Sequence, residues 1–154
     1  MLQKPNGGTI VTVSSVLGHL GASQLSDYTA SKAGLLAFHN TITAEIAAMS
    51  KEKDAPQGAK NVKTILVKPG QLSTAMFGGM QTPSDFFGPV VDAHVLAARI
   101  ISEIEVGRNA IIAMPFYAEC IEWLGVLPVS VQKLARWFSG VDRAMEGFGG
   151  SGRS

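Results

Sequence analysis

Tyr28 and Lys32 stand four residues apart, and Ser15 precedes the tyrosine by thirteen. On a helix, positions i and i+4 share one face, about 6 Å apart. An ammonium held there stabilises a phenolate and draws a tyrosine from its usual pKa of about 10 toward neutrality. A tyrosine tuned this way moves protons near pH 7. The plain alternative is a half-buried helix tyrosine beside a solvated lysine. No Gly-rich phosphate-binding loop lies upstream of these residues.

A strand, a loop and a helix must position them. Residues 9–14 are β-branched and apolar after Asn6-Gly7-Gly8, and read as a buried strand. Residues 16–26, with Gly18 and Gly21, read as a loop. Ser26-Asp27 offers an N-cap for a helix over about 28–50. Ala30, Ala33, Leu36, Ala37, Ile42 and Ile46 supply its apolar face. Ser31 reads as a packing residue, and Ala30, Ser31, Ala33 and Gly34 permit close approach of a neighbour.

Lys51–Asn61 is a polar surface loop, and 62–67 a second strand that Pro69-Gly70 ends. Residues 71–89 read as a loop, and Pro89 opens a helix through about Gly107. A third strand covers 110–114, an apolar, aromatic stretch covers 116–138 with a break near Pro128, and 147–154 is a flexible tail. Strands separated by helices imply parallel βαβ units and an α/β fold.

Composition narrows the function classes. A net charge of +1 without a basic run gives a nucleic-acid partner no electrostatic support. The single Cys120 excludes an internal disulfide and reads as a buried small hydrophobe. His19, His39 and His94 lack ligand spacing, so no metal is expected. No signal peptide is visible, and no apolar run is long enough to span a membrane. The expected location is cytoplasmic, or peripheral on an intracellular membrane or lipid surface.

Thr9-Ile-Val-Thr-Val-Ser-Ser15, a Gly-containing loop and Tyr28-x-x-x-Lys32 together resemble the catalytic segment of the short-chain dehydrogenase/reductase family. Val67-Lys-Pro-Gly70-Gln-Leu-Ser-Thr74, about forty residues later, resembles its Pro-Gly-x-x-x-Thr loop. The likeness runs from about residue 6 to about 114 and is looser beyond. It implies a partial doubly wound, Rossmann-like sheet of about three strands with flanking helices, the family's fifth to seventh. The chain would then be partial, without most of the amino-terminal cofactor-binding half. Residues 1–146 would be the carboxyl-terminal part of one NAD(P)-binding domain.

The resemblance also implies chemistry. Hydride passes between NAD or NADP and an alcohol or carbonyl carbon. Tyr28 exchanges the proton with the substrate oxygen, Lys32 supports Tyr28 and the nicotinamide ribose, and Ser15 polarises the substrate oxygen. Ser14 lies near the cofactor. Pro69 and Gly70 turn the chain over the nicotinamide, the Leu72 backbone contacts the carboxamide, and the Thr74 hydroxyl supports the cofactor; the alternative is a plain strand-ending turn. The family's Gly-rich turn and catalytic Asn have no counterpart here, and Asn6 lies in the turn before the strand. The chain taken alone is therefore expected to have no useful dehydrogenase activity.

Met76, Phe77, Met80, Phe86 and Phe87 suggest a lipophilic substrate. Residues 116–138, with Lys133 and Arg136 among apolar side chains, resemble the ending of the retinol- and hydroxysteroid-dehydrogenase-like branch, with Gly140–Phe148 as a further echo. They read either as an interfacial helix on a lipid surface or as a helix over the substrate cleft or a partner subunit. Two readings stand beside the enzyme: a remnant that forms a homo-oligomer or pairs with a full-length relative through the Tyr28 helix, and a lipid-surface module.

Overall fold

A computed structural model describes residues 1–21, 23–72, 90–124 and 127–139. Strand β1 (Gly8–Val13) leads through a short helix α1 (Leu17–Leu20) to the long helix α2 (Ser26–Met49). Then follow β2 (Val62–Pro69), α3 (Ala93–Val106), β3 (Ala110–Met114), α4 (Tyr117–Leu124) and α5 (Val129–Ser139). The strands form one parallel sheet in the order β1-β2-β3, from Gly8↔Val62 to Val13↔Val67 and from Ile65↔Ala110 to Pro69↔Met114. This is the expected α/β, Rossmann-like partial fold, with its three strands as neighbours. Among the described residues the outer edge of β1 has no strand partner.

The central strand β2 is buried from Thr64 to Pro69, because helices cover both faces of a parallel sheet. Ile65 and Val67 point to one face and pack with Val91, Leu96 and Ile112. Each such side chain contributes about 1.5–3 kcal/mol when fully buried.

The other face meets α2, and its contacts differ from the expected apolar stripe. Leu36 is buried there, but so is His39, whose Nδ1 lies 3.0 Å from the Thr12 hydroxyl of β1. One turn on, the Thr43 hydroxyl donates to the Thr64 hydroxyl of β2 at 3.0 Å. Ala30 and Ala37 are exposed. Polar helix–strand pairs thus set the rotation of α2, and a hydrophobicity count does not register them. Ser31 is also exposed, and its hydroxyl donates to the Tyr28 carbonyl at 2.7 Å rather than packing on a neighbour.

Other boundaries shift for local reasons. α2 begins at Ser26, with Leu25 at the cap position, and Asp27 accepts from the Tyr28 amide at 2.8 Å. The 16–26 segment holds α1, too short a helix to leave a periodic signal. α3 starts at Ala93 because Asp92 caps it, accepting from the His94 amide at 2.7 Å. Just before it, Val91 bridges to Leu72, its amide donating to the Gln71 carbonyl at 2.8 Å. At the far end of α3, buried Glu103 pairs with Arg99 at 2.7 Å and Arg108 at 2.9 Å. Its hydrogen bond to Arg108 holds its carboxyl below the usual range.

Cys120 is exposed, not buried as expected, because α4 lies on the protein's outside at that position. No helix among the described residues is long and apolar enough to cross a membrane, and none of their His, Cys, Asp and Glu side chains gather into a metal-holding group. Thr74, Met76, Phe77, Met80, Phe86, Phe87, Pro89, residues 140–148 and the 147–154 tail lie outside the described residues.

Candidate active site

The candidate residues gather at the carboxyl end of the sheet, where open α/β sheets bind their ligands. β1 delivers Ser14 and Ser15 one and two residues past its last position. The Ser14 amide continues the ladder to the Val67 carbonyl at 2.9 Å, and the Val16 amide reaches the Pro69 carbonyl at 3.1 Å. The two strand ends are thereby locked side by side.

Ser14 is 1% exposed, and its hydroxyl donates to the Lys32 carbonyl at 2.8 Å. That bond ties the strand end to α2 at the turn bearing the candidate lysine. A Cβ on Gly18 would stand 3.0 Å from the Lys32 carbonyl carbon and 3.0 Å from Leu36 Cδ1. Glycine there lets α1 lie directly against α2 and brace it.

The Lys32 ammonium donates to the Val13 carbonyl at 3.1 Å and lies 5.6 Å from the centre of the Tyr28 ring. That is cation–π range. An ammonium carries three donors; among the described residues Val13 takes one, leaving two for a bound acceptor. Tyr28 itself is half-buried. Ser15 is buried, accepts from the Leu17 amide at 3.2 Å and donates a long bond to the Pro69 carbonyl at 3.4 Å. A substrate oxygen competing for so long a bond displaces little.

Pro69 ends β2, and the Gly70 amide donates to the Met114 carbonyl at 2.7 Å. The structure explains the glycine. A Cβ at residue 70 would stand 2.8 Å from the Tyr117 hydroxyl and 2.9 Å from Pro115 Cδ. Leu72 packs against the core through its bridge to Val91. Ser14, Ser15, Tyr28, Lys32, Pro69 and Gly70 thus come from three elements to one edge, with Leu72 two residues beyond.

Two residues of this edge escaped the sequence reading. In the sequence Tyr117 is one member of the apolar, aromatic stretch 116–138. Its ring packs near Val16 and Ala118, its hydroxyl lies over the Pro69–Gly70 turn, and burial pushes its pKa up, keeping the phenol neutral. Lys68, 2% exposed, is the other. A lysine at the end of the apolar run Ile65–Val67 and directly before Pro-Gly is a readable signal, because a buried ammonium needs partners.

The arrangement offers a phenol beside an ammonium, a buried hydroxyl and a close backbone turn. Together these can exchange a proton with a ligand oxygen and hold a planar amide or a diol. The short chain dehydrogenase family model matches residues 1–84, which include every candidate residue. An uncharacterized oxidoreductase of Saccharomyces cerevisiae is 39% identical over 86% of this chain and 38% of its own length. A second from that yeast is 32% identical over 88% of this chain and 42% of its own. Epidermal retinol dehydrogenase 2 of Mus musculus is 31% identical over 94% of this chain and 44% of its own. The chain spans about two fifths of the length of these relatives.

Proposed function

Because the chain belongs to the short-chain dehydrogenase family, we propose that it carries the proton-handling, nicotinamide-facing part of an NAD- or NADP-dependent alcohol/carbonyl oxidoreductase. The observation that carries this reading is the Lys32 ammonium, 5.6 Å from the Tyr28 ring at the sheet edge that also holds Ser15. The donor set fits a nicotinamide riboside: two unclaimed Lys32 donors suit a ribose diol, and the Pro69–Leu72 backbone suits a carboxamide. When bound, the nicotinamide supplies or accepts the hydride.

The residues then divide the remaining work. In reduction the Tyr28 phenol gives its proton to the carbonyl oxygen, and in oxidation it takes that proton from the alcohol. Lys32 stabilises the negative charge left on the phenol oxygen. Ser15 donates to the substrate oxygen and fixes its distance from Tyr28. Ser14 holds Lys32 through its carbonyl. Pro69, Gly70 and Leu72 shape the turn facing the carboxamide, and by the family's pattern the Thr74 hydroxyl would support the cofactor.

The substrate in this reading is lipophilic. The mouse relative's name is that of a retinol dehydrogenase, and retinol is such an alcohol. An exposed α2 surface with Ala30, Gly34 and Phe38 suits a homo-oligomer or pairing with a full-length relative.

The test is turnover of lipophilic alcohols by a chimera in which residues 1–154 replace the matching part of the first yeast relative. Tyr28→Phe should lower kcat at least about 100-fold while cofactor still binds. Undiminished turnover by Tyr28→Phe would overturn the assignment.

A further inference from the structure

The Tyr117 hydroxyl has no task inside the fold. Its ring is half-buried on the Val16–Ala118 cluster, together with Leu17, Leu20 and Ala113. Phe116 meets it edge-on, with ring centroids 6.4 Å apart. A phenylalanine would fill this apolar surround equally well. A buried phenol usually finds a hydrogen-bond partner, and leaving one unpartnered costs free energy. Among the described residues the Tyr117 hydroxyl has none. Burial keeps it protonated, so it is a donor at ordinary pH.

The hydroxyl stands over the Pro69–Gly70 turn, 2.8 Å from where a Cβ of residue 70 would be. A second open donor follows two residues on. In the bridge between Leu72 and Val91, the Val91 amide donates to the Gln71 carbonyl at 2.8 Å. The Gln71 carbonyl and the Leu72 amide share one trans peptide plane and point in opposite directions. The Leu72 amide is therefore turned away from Val91, and among the described residues it donates to nothing. Apolar walls with a few placed polar groups are how small-molecule pockets fix a ligand's orientation. A carbonyl oxygen, with two lone pairs, can take both donors.

We propose that the Tyr117 hydroxyl is a ligand contact: it donates to the carbonyl oxygen of the nicotinamide carboxamide, and the Leu72 amide takes that oxygen's other lone pair. This role presupposes the oxidoreductase reading. It adds to the Pro69–Leu72 turn a donor from α4, an element outside the Pro-Gly loop. Two anchors from different elements hold the carboxamide plane in one orientation.

The test is isothermal titration calorimetry of the 154-residue protein with NADH and with thio-NADH, in which sulfur replaces the carboxamide oxygen. Sulfur is the weaker acceptor. Tyr117→Phe should weaken NADH binding about fivefold, the loss of one hydrogen bond, with its urea midpoint unchanged. Tyr117→Met, which also lacks the hydroxyl, should weaken it as much. Thio-NADH should bind wild type and both variants alike. Undiminished NADH affinity in the variants, where wild type binds NADH, overturns the contact and leaves the oxidoreductase reading standing. Equal losses with both cofactors also overturn it, because the phenol then shapes the turn without touching the oxygen. A folded wild-type chain that binds neither cofactor overturns the contact together with the reading beneath it.

Discussion

Gly70→Ala tests the packing of the site edge at a single atom. The new Cβ would lie 2.8 Å from the Tyr117 hydroxyl, 2.9 Å from Pro115 Cδ and 3.5 Å from the Met114 carbonyl oxygen. Favourable carbon contacts sit near 3.5–4.0 Å, so two of the three must open by several tenths of an ångström. Overpacking of this kind costs about 1–3 kcal/mol. Gly70 is not among the residues at positive φ, so alanine also narrows the unfolded ensemble, offsetting about 0.4–1 kcal/mol. The net expectation is a loss of about 1–2 kcal/mol, read from urea unfolding at unchanged slope. Tyr117→Phe in the same background removes the nearer contact and should restore about 0.5–1 kcal/mol. Tyr117→Phe alone should be nearly neutral, because among the described residues the hydroxyl has no hydrogen-bond partner. A neutral or stabilising Gly70→Ala, or no coupling between the two sites, would refute the placement of Tyr117 over the turn.

Burial lowers the pKa of His39 below its ordinary 6.5. The unfolded chain therefore binds that proton first, and stability present above pH 6.5 is lost as pH falls through the lower folded value. Urea unfolding across that window should show the slope in wild type and lose it in His39→Gln. A Cβ at Gly34 meets nothing within 4 Å, so Gly34→Ala should stabilise α2 by about 1 kcal/mol in thermal unfolding. If α2 pairs with another chain through that face, the same substitution should weaken association in analytical ultracentrifugation. Asp92→Ala should cost about 1 kcal/mol by removing the cap of α3, as measured by urea unfolding.

The strands were readable because each is a short β-branched or apolar run bounded by a breaker: Gly7-Gly8 at the start of β1, Pro69-Gly70 at the end of β2, Arg108-Asn109 before β3. The spacing from Ser15 to Tyr28 to Lys32 was equally readable, since strand and helix have fixed pitch. Contacts between elements were not. Nothing local to His39 or Thr12 says that they face each other, and that pair, not the Ala30–Ala37 stripe, orients α2. Tyr117 was hidden for the same reason: it lies 47 positions from Gly70, and only the β2–β3 register, Pro69 beside Met114, brings them together. Cys120 was misread because composition says nothing about which side of α4 faces outward.

The site assignment is tested most directly by amide chemical-shift mapping of the labelled 154-residue chain during titration with NADH and NADPH to millimolar concentration. The account predicts shifts confined to the carboxyl edge of the sheet, at Ser14, Ser15, Tyr28, Lys32, Gly70 and Leu72, and their loss in Lys32→Met. Shifts centred on the opposite edge, around Gly8 and Val62, or no shifts in a folded chain, would contradict it.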